Sequence, residues 1–165
     1  MFKWKYKAGG IFIILLMLFV DQFTKFLAVK YLKGGEQVPV LGDIFVLQYL
    51  ENNGAAFGML QGKKIFFILL TIVVVAAVTF VYLKIPHQKK YYPLNLTAIL
   101  LIAGALGNFI DRLTHVYVVD FFYFQLIDFP VFNVADIYVT FAAIGLFICF
   151  LFLYSEEDLK EVLHS

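Results

Sequence analysis

Several residue types that carry enzymatic chemistry are nearly missing from this chain. Its one cysteine, Cys149, sits inside an apolar run, so neither a disulfide framework nor a cysteine metal site is available. The only serines, Ser155 and Ser165, lie in the C-terminal tail, which makes a serine nucleophile hard to build. Histidine occurs at His87, His115 and His164. The first falls in a short polar link and the last in the tail, so His115 stands alone, too few for a zinc site, and no metal is expected. Charge is scarce as well. Only 15% of the 165 residues are charged, against about a quarter in soluble domains. The net charge is +1 with no basic run, which argues against nucleic acid as a partner.

What fills the chain instead is apolar. Hydrophobic residues make up 62% and the mean hydropathy is +0.87, values of an integral membrane protein, and the length fits one domain over Met1 to Ser165. Four segments can cross a bilayer core, which takes about 20 helical residues: Ile11 to Val29, Ile65 to Leu83, Leu94 to Arg112 and Val134 to Tyr154. Inside lipid the backbone must satisfy its own hydrogen bonds, so these spans are expected to be helices. Lys3, Lys5 and Lys7 precede the first span, and Lys84, Lys89 and Lys90 lie between the second and third. The positive-inside rule therefore puts both termini in the cytoplasm and the loops Lys30 to Lys64 and Leu113 to Asn133 outside. The first span is expected to be retained rather than cleaved, because it is too long for a signal-peptide core and carries Asp21 and Lys25.

The first outer loop contains VPVLGDIFVLQYLENNGAAFGML, rich in β-branched and aromatic residues and bounded by Pro39, Gly42 and Asn53-Gly54. Short strands at the membrane surface are expected there. The fold class is thus a mainly α membrane protein, four transmembrane helices with a small extracytoplasmic β-rich element. The acidic tail from Ser155 reads as a short solvated helix.

Polar residues cluster in Gly104 to Asp136, GALGNFIDRLTHVYVVDFFYFQLIDFPVFNVAD. Asp21 and Lys25 share a helix face four residues apart and can pair, either as a plain ion pair with Lys25 reaching toward the headgroups or beside a site. Asn108, Asp111 and Arg112 form one polar face at the end of the third span; Asp111 with Arg112 could be a simple helix-end ion pair. Gly104 and Gly107 permit close helix approach. Asn133 and Asp136 have the spacing of an N-cap and its N3 acid. Asp120 lies among apolar and aromatic residues, where an unpaired charge is costly, and Asp128 precedes Phe129-Pro130 in a turn. With serine and histidine chemistry eliminated, carboxylate chemistry remains. Two close carboxylates share a proton, giving a base that takes a proton from water and an acid that protonates a carbonyl or a leaving amine. Their titrations then belong to the pair. A carrier relaying protons through Asp21, Lys25 and Asp111, or a non-catalytic scaffold, are the alternatives.

Five stretches in order, DQFTK (Asp21 to Lys25), ENNGAAFG (Glu51 to Gly58), GALGNFIDR (Gly104 to Arg112), VVDF (Val118 to Phe121) and FNVAD (Phe132 to Asp136), closely resemble the lipoprotein signal peptidases, or type II signal peptidases. The resemblance covers nearly the whole chain. It implies a bacterial membrane aspartic endopeptidase that cleaves prolipoproteins on the amino side of a diacylglyceryl-modified cysteine. It implies Asp120 and Asp136 as the catalytic residues, with Asp21, Lys25, Asn52, Gly54, Asn108, Asp111, Arg112 and Asn133 binding substrate or supporting the site. No cofactor is implied. The expected partners are the lipidated precursors and membrane lipids, and the expected state is a monomer in the cytoplasmic membrane with its site near the outer face. Phe121, Phe122 and Phe124 could flank the acyl chains, and a lid could move around Asn53-Gly54. No role is assigned to FYFQLIDFPV or to Asp128.

Overall fold

A chain this apolar satisfies its backbone in lipid by forming helices, and four of those in the computed structural model are long and apolar enough to cross a membrane. Residues 2–54 and 62–164 are described, with side chains from Tyr6 onward. The side chains of Lys3 and Lys5, and residues 55–58 of ENNGAAFG, lie outside the described residues. In chain order the elements are α1 (Phe2–Leu32), β1 (Val38–Leu41), β2 (Phe45–Asn52), α2 (Lys64–Lys84), α3 (Tyr92–Thr114), β3 (Val118–Tyr123), α4 (Val134–Ile148) and α5 (Glu156–His164). The apolar spans run Tyr6–Leu32, Lys64–Lys84, Lys89–Thr114 and Val134–Leu153, a few residues beyond the expected limits at most ends.

Local chemistry sets the helix ends. Ile85 closes α2 with ψ 123, the extended geometry forced on a residue that precedes proline, here Pro86. Pro93 sits in the first turn of α3, where its missing N–H removes no helical bond. Lys7 is buried and donates from Nζ to the carbonyls of Tyr82 and Ile85 and to Asn95 Oδ1. A cation thus meets the orphan carbonyls and negative dipole at the end of α2.

Helix α3 is the centre of the bundle: half of its apolar span is buried inside the protein, against 6% for the α2 span and 11% for the α4 span. The α3–α4 approach is set by glycine. A Cβ on Gly104 would stand 2.6 Å from the Ala135 carbonyl oxygen and 2.8 Å from Val139 Cγ2, and one on Gly107 would stand 2.6 Å from Asp21 Oδ2. Small residues let helices pack this closely in a membrane.

The expected surface sheet is present, with one strand the sequence reading did not foresee. Strands β1 and β2 form a hairpin that turns at Gly42, in the left-handed region at φ 51. Pro39 lies within β1, at the edge of the sheet, where a missing donor is tolerated. Asn53-Gly54 follows β2 and ends it rather than making the hairpin. The third strand is β3, the VVDF stretch itself, antiparallel to β2 with Asn52 opposite Val118 and Leu50 opposite Asp120. Its Val119 and Phe121 pack on Ala28 and Leu32 of α1. The tail helix α5 is also not simply solvated. Val162 is buried, Tyr91 Oη donates to Glu161 at 2.7 Å, and Lys90 pairs with Asp158.

Gly104→Ala is expected to destabilise the protein by about 1–3 kcal/mol, the usual cost of an added methylene with no room to relax. Gly9→Ala, with nothing within 4 Å of its Cβ position, should leave thermal unfolding in detergent unchanged. Equal melting temperatures for the two variants would refute the close-packed α3–α4 contact.

Candidate active site

Strand pairing and helix capping bring the two candidate aspartates to one cavity. Asn52 lies opposite Val118, so the alternation of a strand puts its side chain on the same face as Asp120, two residues along. Asn52 Nδ2 donates to Asp120 Oδ2 at 2.8 Å, while its own Oδ1 accepts the Gly54 N–H at 2.9 Å. Asp136 arrives by the α4 N-terminus. Asn133 and Asp136 form a full capping box, with Asp136 N–H on Asn133 Oδ1 at 3.0 Å and Asn133 N–H on Asp136 Oδ2 at 3.1 Å. The capping role and a place in the site therefore coincide in one residue.

Two asparagine amides link the carboxylates. Asn133 Nδ2 donates to Asp120 Oδ1 at 2.6 Å and is 3.0 Å from Asn108 Oδ1, and Asn108 Nδ2 donates to Asp136 Oδ1 at 2.8 Å. Asp120 is 1% exposed. Burial, and next the nearby Asp136 carboxylate, push its carboxyl up to about 7, against the opposing effect of the Asn52 and Asn133 hydrogen bonds.

Behind this layer lies a buried ionic group. Lys25 Nζ is 3.0 Å from Asp21 Oδ2, 3.0 Å from Asp111 Oδ2 and 2.9 Å from Asn108 Oδ1. Lys25 is 3% exposed, so it does not reach toward the headgroups, and Asp111 pairs with it rather than with Arg112. Each carboxylate also accepts a backbone N–H next to a candidate aspartate. Asp21 Oδ1 accepts from Ala135 at 2.9 Å, one residue before Asp136. Asp111 Oδ2 accepts from Val119 at 3.0 Å, one residue before Asp120. Arg112 lines the same cavity, its guanidinium 4.7 Å from the Phe67 ring centroid and 3.2 Å from the Gly54 carbonyl oxygen.

The cavity has a volume of about 460 Å³. Asn52, Gly54, Asn108, Arg112, Asp120 and Asp136 form its polar side; Phe129, Pro130, Val131, Phe132, Ile137, Val139 and Phe141 form its apolar side. Eight of the ten residues singled out from the sequence thus line it or bond directly to residues that do, Lys25 through Asn108, and Asp21 and Asp111 join through Lys25, Ala135 and Val119. The apolar wall is where sequence reasoning missed. Phe121 is buried against α1 instead, and Phe122 and Phe124, which pack on the rings of Phe45 and Phe132, are not among the lining residues. Asp128 closes a turn in the left-handed conformation and accepts from Tyr123 Oη at 2.7 Å. The stretch that had no assigned role supplies Phe129 to Val131; the continuous apolar Phe-Pro-Val-Phe run after a turn was the available signal. Among the described residues, no group of three or more His, Cys, Asp or Glu is placed to hold a metal ion.

Residues 13–152 match the family described as signal peptidase (SPase) II. The lipoprotein signal peptidase of Caldanaerobacter subterraneus subsp. tengcongensis is 46% identical over 136 residues, which cover 82% of this chain and 90% of that protein. The lipoprotein signal peptidase of Streptococcus pyogenes serotype M1 is 41% identical over 145 residues, 88% of this chain and 92% of that protein. A solved bacterial membrane enzyme superposes with a TM-score of 0.78 at 34% identity, covering 87% of this chain and 88% of that one. With its apolar helices, its small sheet and this match over most of its length, the chain belongs to the signal peptidase II family of membrane peptidases.

Proposed function

We propose that this protein removes the signal peptide from prolipoproteins as an aspartic endopeptidase, cleaving on the amino side of a diacylglyceryl-modified cysteine, with Asp120 and Asp136 as the catalytic pair. The observation that carries the reading is one cavity lined by both carboxylates and by a set of apolar, lipid-compatible side chains. The ionic group of Asp21, Lys25 and Asp111 then supports the pair, while Asn52, Gly54, Asn108, Arg112 and Asn133 hold the substrate backbone or the carboxylates. A proton relay for transport needs ionisable groups at several depths, whereas here the buried carboxylates Asp21, Asp111 and Asp120 gather at one end of the bundle.

In this reading the pair shares one proton. Asp120, whose carboxyl sits near 7, donates to the scissile carbonyl oxygen. Asp136, on the N-terminus of α4 where the helix dipole favours negative charge, takes a proton from the attacking water. The water oxygen bonds to the carbonyl carbon to give a tetrahedral diol. Return of a proton to the cysteine nitrogen then lets the carbon–nitrogen bond break, leaving the signal peptide with a carboxyl end and the lipoprotein with a free amine. The acyl chains of the cysteine lie against Phe129, Phe132, Ile137 and Phe141. The cavity end faces the outer side of the cytoplasmic membrane, with both termini in the cytoplasm, and the substrate's signal helix never has to leave the bilayer.

Purified in detergent and given a diacylglyceryl-modified prolipoprotein, Asp120→Asn and Asp136→Asn are each expected to lose about 10³-fold or more in kcat, since each removes one partner of the acid–base step. Near-normal cleavage by either variant would sink the dyad, and transport without cleavage would favour a carrier. In the wild type, kcat should fall as pH rises through about 7, where the shared proton is lost.

Asp120 also makes a stability prediction. Its carboxyl titrates near 3.8 unfolded and about 7 folded, so the folded protein binds that proton more tightly. Its contribution to stability is full below pH ~4 and is lost as pH rises through about 7. The displacement corresponds to roughly 4 kcal/mol at alkaline pH as an upper bound. Asp120→Asn should therefore raise the melting temperature at pH 8 and flatten its decline between pH 4 and 7. A lower melting temperature at pH 8 would contradict the buried-charge account.

A further inference from the structure

Gln22 follows Asp21 on α1, and neither the family resemblance nor the proposed mechanism gives it a role. Its Nε2 is within hydrogen-bond distance of three oxygens: Asp111 Oδ1 at 3.0 Å, Asp21 Oδ2 at 3.1 Å and the Gly107 carbonyl at 3.2 Å. All three are acceptors, so the amide nitrogen, with its two hydrogens, must face them. The group it enters is under tension by charge. Asp21 and Asp111 share one ammonium, that of Lys25, through an Oδ2 of each, and two carboxylates facing one cation repel each other.

A single bridge through the two Oδ2 atoms would leave the Asp111 carboxylate free to turn about that contact. Gln22 holds its other oxygen, Oδ1, and so fixes the plane in which Oδ2 accepts the Val119 N–H. Asp21 in turn holds the Ala135 N–H. Gln22 therefore braces together the two anchors that locate β3 at Asp120 and α4 at Asp136.

We propose that Gln22 is a positioning residue for the Asp120–Asp136 pair: by bridging Asp21 to Asp111 it fixes how far apart the two carboxylates stand. The inference rests on the reading of those aspartates as the catalytic pair. A shift of about 1 Å in reacting groups costs on the order of 10²-fold in rate, so a brace two bonds removed from the chemistry has a measurable effect. The charged and titratable groups around it are Asp21 and Lys25 from α1, Asp111 and Arg112 from α3, Asp120 from β3, and Asp136 and Tyr138 from α4.

The test uses the full-length protein in detergent with a diacylglyceryl-modified prolipoprotein. Gln22→Met keeps the length of the side chain and removes both donors. Its kcat is expected to fall by about 30- to 100-fold with KM changed by no more than about threefold, because the pair moves while the apolar wall does not. Its alkaline limb should also move to lower pH, because separation weakens the Asp136 effect that helps hold the Asp120 proton. Gln22→Glu keeps the shape and donates only when protonated, so its activity relative to wild type at the same pH should rise between pH 8 and pH 5. A merely structural Gln22 would give a lower melting temperature and less active enzyme with the pH limb unmoved. That result overturns the proposal, as does wild-type kcat in Gln22→Met, or failure of both variants to fold. If Asp120→Asn and Asp136→Asn still cleave, the dyad reading fails; if they are inactive while Gln22→Met is indifferent, only the role of Gln22 does.

Discussion

An ammonium group inside an apolar helix bundle must be matched by negative charge or it will not stay there, and the end of this molecule that holds the cavity is arranged around that requirement. Lys25 is buried between Asp21 and Asp111. Taking such ions out of water costs several kcal/mol each, which their mutual attraction offsets only when the remaining lone pairs are also satisfied. One cation against two carboxylates leaves negative charge over. The backbone N–H groups of Ala135 and Val119 meet it, and these belong to the neighbours of Asp136 and Asp120. Satisfying a buried ion group and locating the proposed catalytic pair are consequently the same set of bonds. Loss of Lys25 would leave two uncompensated carboxylates directly behind the cavity.

That arrangement depends on backbone proximity. The Gly104 and Gly107 face of α3 lets α4 and Asp21 come within contact distance of the α3 backbone, and a side chain of any size at either position would push the anchors apart. Helix α3 reaches the site through Gly107, Asn108, Asp111 and Arg112, and the first three between them contact α1, β3 and α4. Its central place in the bundle, inferred from burial, is what allows one helix to organise residues from α1, β3 and α4.

The spans were legible because lipid leaves the backbone one local solution, so length and hydropathy suffice. The capping box was legible because it is written within four residues, Asn133 to Asp136. The VVDFFY strand carried its own signal, β-branched and aromatic residues in a row, but the aspartate in its middle drew the reading toward a site in a loop. Contacts between distant segments were not legible. Nothing in DQFTK says that Lys25 turns inward to Asp111 rather than outward to the headgroups; that depends on which face of α1 meets α3. The apolar wall was misassigned for a related reason. Phe121 alternates away from Asp120 on its strand, toward α1, so proximity in sequence placed it on the wrong side.

The choice of neutral amides around the two aspartates bears on the proposed chemistry. A pair that shares one proton works only if neither carboxylate is held permanently ionised. A guanidinium bonded to Asp120 or Asp136 would do that, yet Arg112, which lines the same cavity, donates to the carbonyls of Asn108 and Gly54. Asn52, Asn108 and Asn133 make the direct contacts instead. Asparagine amides fix the orientation of a carboxylate through hydrogen bonds while adding no net charge, so the burial of Asp120 still raises its carboxyl to about 7. The ammonium of Lys25 is kept one layer back, where it holds Asp21 and Asp111. Separating the charge that fixes geometry from the amides that touch the pair lets the same site be rigid and still able to exchange a proton near neutral pH.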